Sequence, residues 1–86
     1  MKIVFGGQFL KSTKVLTPKL QAKLDKLTDL LAQNIYHPML HNKELTGDMT
    51  GFWSFRITQE WRVLFQFLSI NVIQILRVEH RKDIYR

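Results

Sequence analysis

Apolar and polar residues alternate with a period of two across residues 53–57, where Trp53, Phe55 and Ile57 are interleaved with Ser54 and Arg56. The same period returns over residues 61–67, with Trp61, Val63, Phe65 and Phe67 at the odd positions and Arg62, Leu64 and Gln66 at the even ones. Two such runs, separated only by a few residues around Gln59 and Glu60, predict an antiparallel hairpin with a tight connection. Burial sets its register. With the odd, aromatic-rich face on the core, Ser54, Arg56 and Arg62 share the other face. Two arginines on one sheet face point to an anion site.

The remaining pattern supplies the elements around this hairpin. Residues 2–5 are β-branched and aromatic after Lys2 and read as a short strand that Gly6 and Gly7 end. A helix is expected from residue 8 to about 16. Thr17 followed by Pro18 then restarts the helix, because threonine can cap the orphan amides and proline fits the first helical position. Leu20, Leu24, Leu27 and Leu31 recur at helical spacing, widened by Leu16, Leu30 and Ile35, while Lys19, Lys23, Lys26, Asp25 and Asp29 lie elsewhere on the circumference. The stripe is too short for a coiled-coil seam, so it is expected to cover the sheet. Residues 34–51 hold Pro38, Gly47, Gly51, two histidines and no periodicity, and read as a long loop leading to the hairpin. After a turn near residues 69–71, a strand over residues 72–78 is apolar on both faces and suits a well-covered place. Residues 79–86 are dense in charge, with Ile84 and Tyr85 able to anchor them against the sheet. The expected order is strand, two helices, then three antiparallel strands, an α+β arrangement.

Composition narrows the function. A chain of 86 residues has room for one domain spanning residues 1–86 and buries roughly 60–65% of its unfolded surface. The hydrophobic share of 45% excludes disorder. Thirteen Lys and Arg against seven Asp and Glu give a formal charge of +6, which in a small domain favours polyanionic partners but also serves plain solubility. The absence of cysteine excludes disulfides, thiolate metal sites and thiol nucleophiles and is compatible with a cytoplasmic location. The apolar run Ile3, Val4, Phe5 is too short for a signal-peptide core, and no later segment is expected to span a bilayer, so no membrane partner is expected.

Arg62, Arg56 and Arg81, with His80 and Tyr85, form the most suggestive chemical set. A guanidinium grips phosphate bidentately and stays charged at any relevant pH. Metal-free RNA cleavage needs the 2′-hydroxyl deprotonated, the phosphate's added charge stabilised and the 5′-oxygen helped to leave. Arginine suits the second task, whereas histidine and tyrosine suit proton transfer better. The competing reading makes Arg56 and Arg62 half-exposed strand residues that shield a sheet edge. His37, His41 and Glu44 have metal-ligand spacing for a helix, but Pro38 interrupts it, and no metal or other cofactor is expected. Trp53 and Trp61 read as core by parity. Phosphate loops, dinucleotide fingerprints and serine nucleophile motifs are all lacking.

Five segments in order carry a further signal: Gln8-Phe-Leu-Lys-Ser, His37-Pro-Met-Leu-His-Asn-Lys-Glu-Leu-Thr-Gly47, Gly51-Phe-Trp-Ser-Phe-Arg-Ile, Glu60-Trp-Arg-Val-Leu-Phe and His80-Arg-Lys-Asp-Ile-Tyr-Arg86. In sequence and spacing they resemble the RelE/ParE toxin superfamily of bacterial toxin–antitoxin systems, across nearly the whole chain. The resemblance implies a two-helix hairpin packed on one face of a small, mainly antiparallel sheet. For RelE-like members it implies ribosome-dependent cleavage of messenger RNA and a cognate antitoxin that covers the toxin's surface, with DNA reached only through the toxin–antitoxin complex. By position, Arg62 resembles the phosphate-stabilising arginine, Arg81 the second arginine or histidine near the leaving oxygen, and Tyr85 the aromatic that orients the substrate base. Arg56 matches one of two basic positions on the preceding strand. Ser54 stands where the family places a lysine favoured as general base, which leaves His80, His41 or Lys43 as candidates, the last two also as substrate-binding groups. The ParE branch shares the fold but poisons DNA gyrase, and its members typically lack the arginine and tyrosine set. A catalytically degenerate chain that survives only as an antitoxin binder is a third possibility.

Overall fold

The structure, a computed structural model, describes residues 1–84. Strand β1, Lys2–Phe5, leads to a single α-helical turn, α1, Phe9–Ser12, which tightens into a 3₁₀ turn at Thr13–Val15. One continuous helix over residues 8–16 does not form. The hydroxyls of Ser12 and Thr13 donate to the carbonyls of Phe9 and Leu10, both at 2.7 Å, which competes with regular helix bonding. Ser12 Oγ also accepts from Val78 N at 2.9 Å, so the segment is tied to the sheet rather than extended along its own axis.

Helix α2, Pro18–Gln33, starts where the sequence marks it. Thr17 Oγ1 accepts from Leu20 N at 3.3 Å and Pro18 occupies the first turn. Its buried residues are Leu24, Leu27 and Leu31. They pack in one cluster with Phe55, Val63, Phe65, Ile73 and Ile75 of the sheet. Burying each such side chain stabilises the fold by roughly 1.5–3 kcal/mol, and this cluster is the main core. Residues 34–51 are not structureless. They hold 3₁₀ turns at Pro38–Leu40 and Gly47–Met49 and a two-residue strand, β2, Lys43–Glu44.

The sheet has five strands in the order β1-β5-β4-β3-β2, with β3 Trp53–Arg56, β4 Trp61–Ser69 and β5 Val72–His80. As expected, β3, β4 and β5 form an antiparallel meander. The sheet is mixed because β1 lies parallel to β5, with Lys2 opposite Val72 and Phe5 opposite Ile75. The short helix α3, Arg81–Ile84, follows β5 directly.

The face of the sheet away from α2 carries a second apolar layer. Leu45, Leu64 and Ile84 are buried there, with Met49, Phe52 and Leu76 packed against them. The register of β4 and β5 explains why residues 72–78 look apolar on both sides. Leu64 stands opposite Arg77 but Phe65 opposite Ile75, so Leu76 is the extra residue of a β-bulge. Strict alternation from Ile73 and Ile75 would drive Arg77 into the main core. The bulge resets the parity, so that Val78 is buried there while Leu76 joins the second cluster.

Candidate functional site

Strand pairing assembles a transverse row of charge on the face opposite α2. Arg56 on β3 stands directly opposite Arg62 on β4, and Arg62 stands directly opposite Glu79 on β5. The next row holds Lys43 on β2 opposite Ser54 on β3, then Leu64 and Arg77. Residues paired across strands lie on the same side, so the two rows form one surface.

Arg62 is at the centre and only 7% exposed. The second apolar layer flanks it through Leu64, its neighbour by two along β4. Its Nη2 donates to the carbonyl of Gln59 in the β3–β4 turn at 3.4 Å. That turn is fixed in its own right, because Thr58 Oγ1 accepts from Trp61 N at 3.1 Å and from Glu60 N at 3.2 Å. Like charges directly opposite each other destabilise a sheet. Arg56 Nε is buried and has no hydrogen-bond partner among the described residues, a placement that costs stability unless an acceptor arrives. An opposed arginine pair with a buried open donor is a poor device for stability and a good one for gripping an anion.

Glu79 and Arg77 form an ion pair through Oε1 and Nε, their side chains 22% and 42% exposed. Neither is a candidate on sequence alone: Arg77 falls inside the expected strand over residues 72–78 with no role assigned, and Glu79 falls in the charged segment after it. The usable signal was parity: with Val78 facing the core, Arg77 and Glu79 must fall on the arginine face.

The other sequence candidates divide by position. Arg81 opens α3, is exposed, and donates its backbone N–H to Glu60 O at 2.8 Å, which ties it to the turn that holds Arg62. His80 does not join the row. It pairs with Trp61, its ring lies edge-on to that indole at 5.2 Å and 78°, and adjacent residues of a strand face opposite ways, which puts it on the α2 side. Its Nδ1 accepts from Lys82 N at 3.3 Å. His41, left-handed at φ 48°, shares a shallow cleft with Lys23, Met39, Arg56 and Gln59. Lys43 is exposed and borders a depression formed with Asp48, Met49 and Ile84. Ser54 is fully buried. Tyr85 lies outside the described residues. His37 Nδ1 accepts from Met39 N at 3.2 Å and so caps a turn. Among the described residues, no three His, Cys, Asp or Glu side chains converge as metal ligands, and no helix is long and apolar enough to cross a membrane.

Comparison with known proteins decides the family. The family model described as the ParE toxin of the type II toxin–antitoxin system parDE matches residues 8–85. The chain belongs to this family. It is therefore a toxin of a type II toxin–antitoxin system within the RelE/ParE superfamily. None of the curated proteins compared with the toxin matches it. Among solved structures, the toxin is similar in fold to YafQ from E. coli, at TM-score 0.79 and 19% identity over 99% of this chain and 98% of that one. It is similar to a YoeB/ParE toxin from Agrobacterium tumefaciens, at TM-score 0.77 and 21% identity over 94% and 99% of the two chains. The RelB–RelE antitoxin–toxin complex from Methanococcus jannaschii also matches, at TM-score 0.74 and 21% identity over 95% and 94%.

Proposed function

We propose that this toxin is a ribosome-dependent endoribonuclease that cleaves messenger RNA and so stops translation in the cytoplasm, and that a cognate antitoxin neutralises it. The observation that carries the reading is the opposition of Arg56 and Arg62 on one sheet face, with Arg62 almost buried. RNA cleavage by attack of the 2′-hydroxyl on the adjacent phosphate gathers negative charge on the phosphoryl oxygens in the transition state. A preorganised guanidinium in a low-dielectric setting stabilises that charge far better than one in water. Arg62 takes this role, Arg56 positions the same phosphate, and Arg81 approaches from α3 toward the leaving oxygen. Lys43 and His41 serve the flanking backbone, and Tyr85 takes the stacking role the family resemblance gives it.

The set contains strong anion binders and no complete proton-transfer pair, so the ribosome must hold the 2′-hydroxyl in line with its phosphate. The chemistry needs no metal. Antitoxin binding is supported by the family assignment and by the relative from Methanococcus jannaschii, solved as an antitoxin–toxin complex.

The family's ParE name supports a second reading, inhibition of DNA gyrase. In vitro translation with primer extension on the message, run beside a gyrase supercoiling assay, separates the two. Ribosome-dependent cuts that survive a chelator, under conditions where ribosomes stay intact, are expected. Supercoiling inhibition without cuts overturns the nuclease reading, and robust cutting of a short naked oligonucleotide at the ribosomal rate overturns its dependence on the ribosome.

A further inference from the structure

We infer that the Glu79 carboxylate is the proton acceptor for the attacking 2′-hydroxyl, an inference that rests on the nuclease reading above. Glu79 completes the row that runs Arg56, Arg62, Glu79 across three neighbouring strands, which puts a carboxylate beside the arginine assigned to the phosphate. Arg77, two residues earlier on β5, engages Oε1 and holds the side chain in place. A carboxylate offers two oxygens and several lone-pair directions, so acceptor capacity remains for a hydroxyl proton. The charged side chains on the elements around Glu79 are Arg62 of β4, Arg77 of its own strand, Lys2 of β1, Arg81, Lys82 and Asp83 of α3, and Lys11 of α1. Cations outnumber anions around the carboxylate.

The other candidates for this task are less well placed. His80 is on the opposite side of the sheet, edge-on to Trp61. Lys43 lies two strands from Arg62 and one row away. His41 lies at the Arg56 end of the site.

A carboxylate next to a phosphate site opposes binding of the substrate, so simple affinity does not account for its position. The reaction does. The 2′-hydroxyl proton passes to Glu79 as the O2′–P bond forms, and negative charge moves from the carboxylate onto the phosphoryl oxygens beside Arg62. The net charge of the site is unchanged. The P–O5′ bond then breaks, water protonates the departing 5′-oxygen, and the products are a 2′,3′-cyclic phosphate and a 5′-hydroxyl. Glu79 returns its proton to solvent.

The test uses full-length toxin with programmed ribosomes, comparing wild type with Glu79→Gln, an isosteric change that removes only the charge and the basicity. Cleavage under single turnover is expected to fall by about 10²–10⁴-fold, while affinity for the ribosome stays equal or rises because a repulsive charge is gone. Glu79→Asp is expected to recover part of the rate. A Glu79→Gln rate within threefold of wild type overturns the inference. Loss of cleavage and ribosome binding together, with a lowered melting temperature, also overturns it, because that pattern belongs to a structural ion pair. If wild type itself makes no cuts, the nuclease reading fails first and this inference with it. If wild type cuts and Arg62→Ala does not, a normal Glu79→Gln rate removes only the inference about the base.

Discussion

Lys43 on β2 stands directly opposite Ser54 on β3, with the lysine exposed and the serine fully buried on the face that carries Arg56 and Arg62. The position where the family pattern places a lysine is thus closed to solvent, and the lysine paired with it belongs to the neighbouring strand. Ser54 Oγ has no hydrogen-bond partner among the described residues. Removing a buried hydroxyl in that state is close to neutral or stabilising. Ser54→Ala is therefore expected to leave the unfolding free energy unchanged or to raise it by up to about 1 kcal/mol. Ser54→Lys, which forces a long charged chain into a packed site, is expected to lower it by about 2 kcal/mol or more. Denaturant unfolding of the two variants checks both signs. A marked loss of stability in Ser54→Ala would mean that the hydroxyl has a partner.

Arg62→Ala is expected to abolish cleavage, by about a hundredfold or more, while the main core, which lies on the other face, stays intact. Primer extension gives the rate, and circular dichroism with thermal melting reports the fold. Toxicity equal to wild type at equal expression would remove Arg62 from its assigned role.

Ile84 is the one buried residue of α3, and it closes the second apolar layer against Leu45 and Leu64. Ile84→Ala should cost about 2 kcal/mol or more and loosen α3 before the rest of the sheet. Because Arg81 sits at the start of that helix, cleavage should fall further than global stability accounts for. Hydrogen exchange at residues 81–84, measured beside the cleavage rate, tests the link. Unchanged exchange in the variant would disconnect the apolar layer from the site.

The main core and the meander were legible because their signals are local. Period two over residues 53–57 and 61–67, the leucine stripe and the pairing of Thr17 with Pro18 each carry their own physical cause, and Phe55, Ile57, Val63 and Phe65 meet Leu24, Leu27 and Leu31 in the main core as the two periods require. What stayed hidden depends on contacts distant in sequence. The parallel pairing of β1 with β5 and the two-residue strand β2 have no periodic signature. The bulge at Leu76 moves Arg77 and Glu79 to the face opposite the one that alternation from Ile73 and Ile75 gives them, so a row that spans three strands reads in the sequence as two arginines and a charged tail. His80 adjoins Arg81 in sequence, but its pairing with Trp61 puts it on the α2 side of the sheet.

An antitoxin segment that blocks this surface should bring acidic side chains to Arg56, Arg62 and Arg81 and apolar ones to the grooves beside α2, where Leu20, Leu27 and Met39 lie among Lys19, Lys23 and Lys26. Buried apolar area does not depend on counterion release, whereas phosphate contact does. Antitoxin affinity should therefore fall less steeply with salt than RNA affinity. Titrating salt against both equilibria checks it, and equal slopes would mean that charge alone holds the partner.

The parallel pairing of β1 with β5 also governs when the toxin comes into being. Lys2 meets Val72, so the first strand waits for one of the last, and closing so long a loop is slow compared with helix or hairpin formation. During synthesis, β3 and β4 can pair as soon as they emerge, which brings Arg56 and Arg62 together while the carboxylate of Glu79 is still inside the exit tunnel. The row Arg56, Arg62, Glu79 needs β5 beside β4, so the finished site assembles only once residues 72–80 have cleared the ribosome that made them.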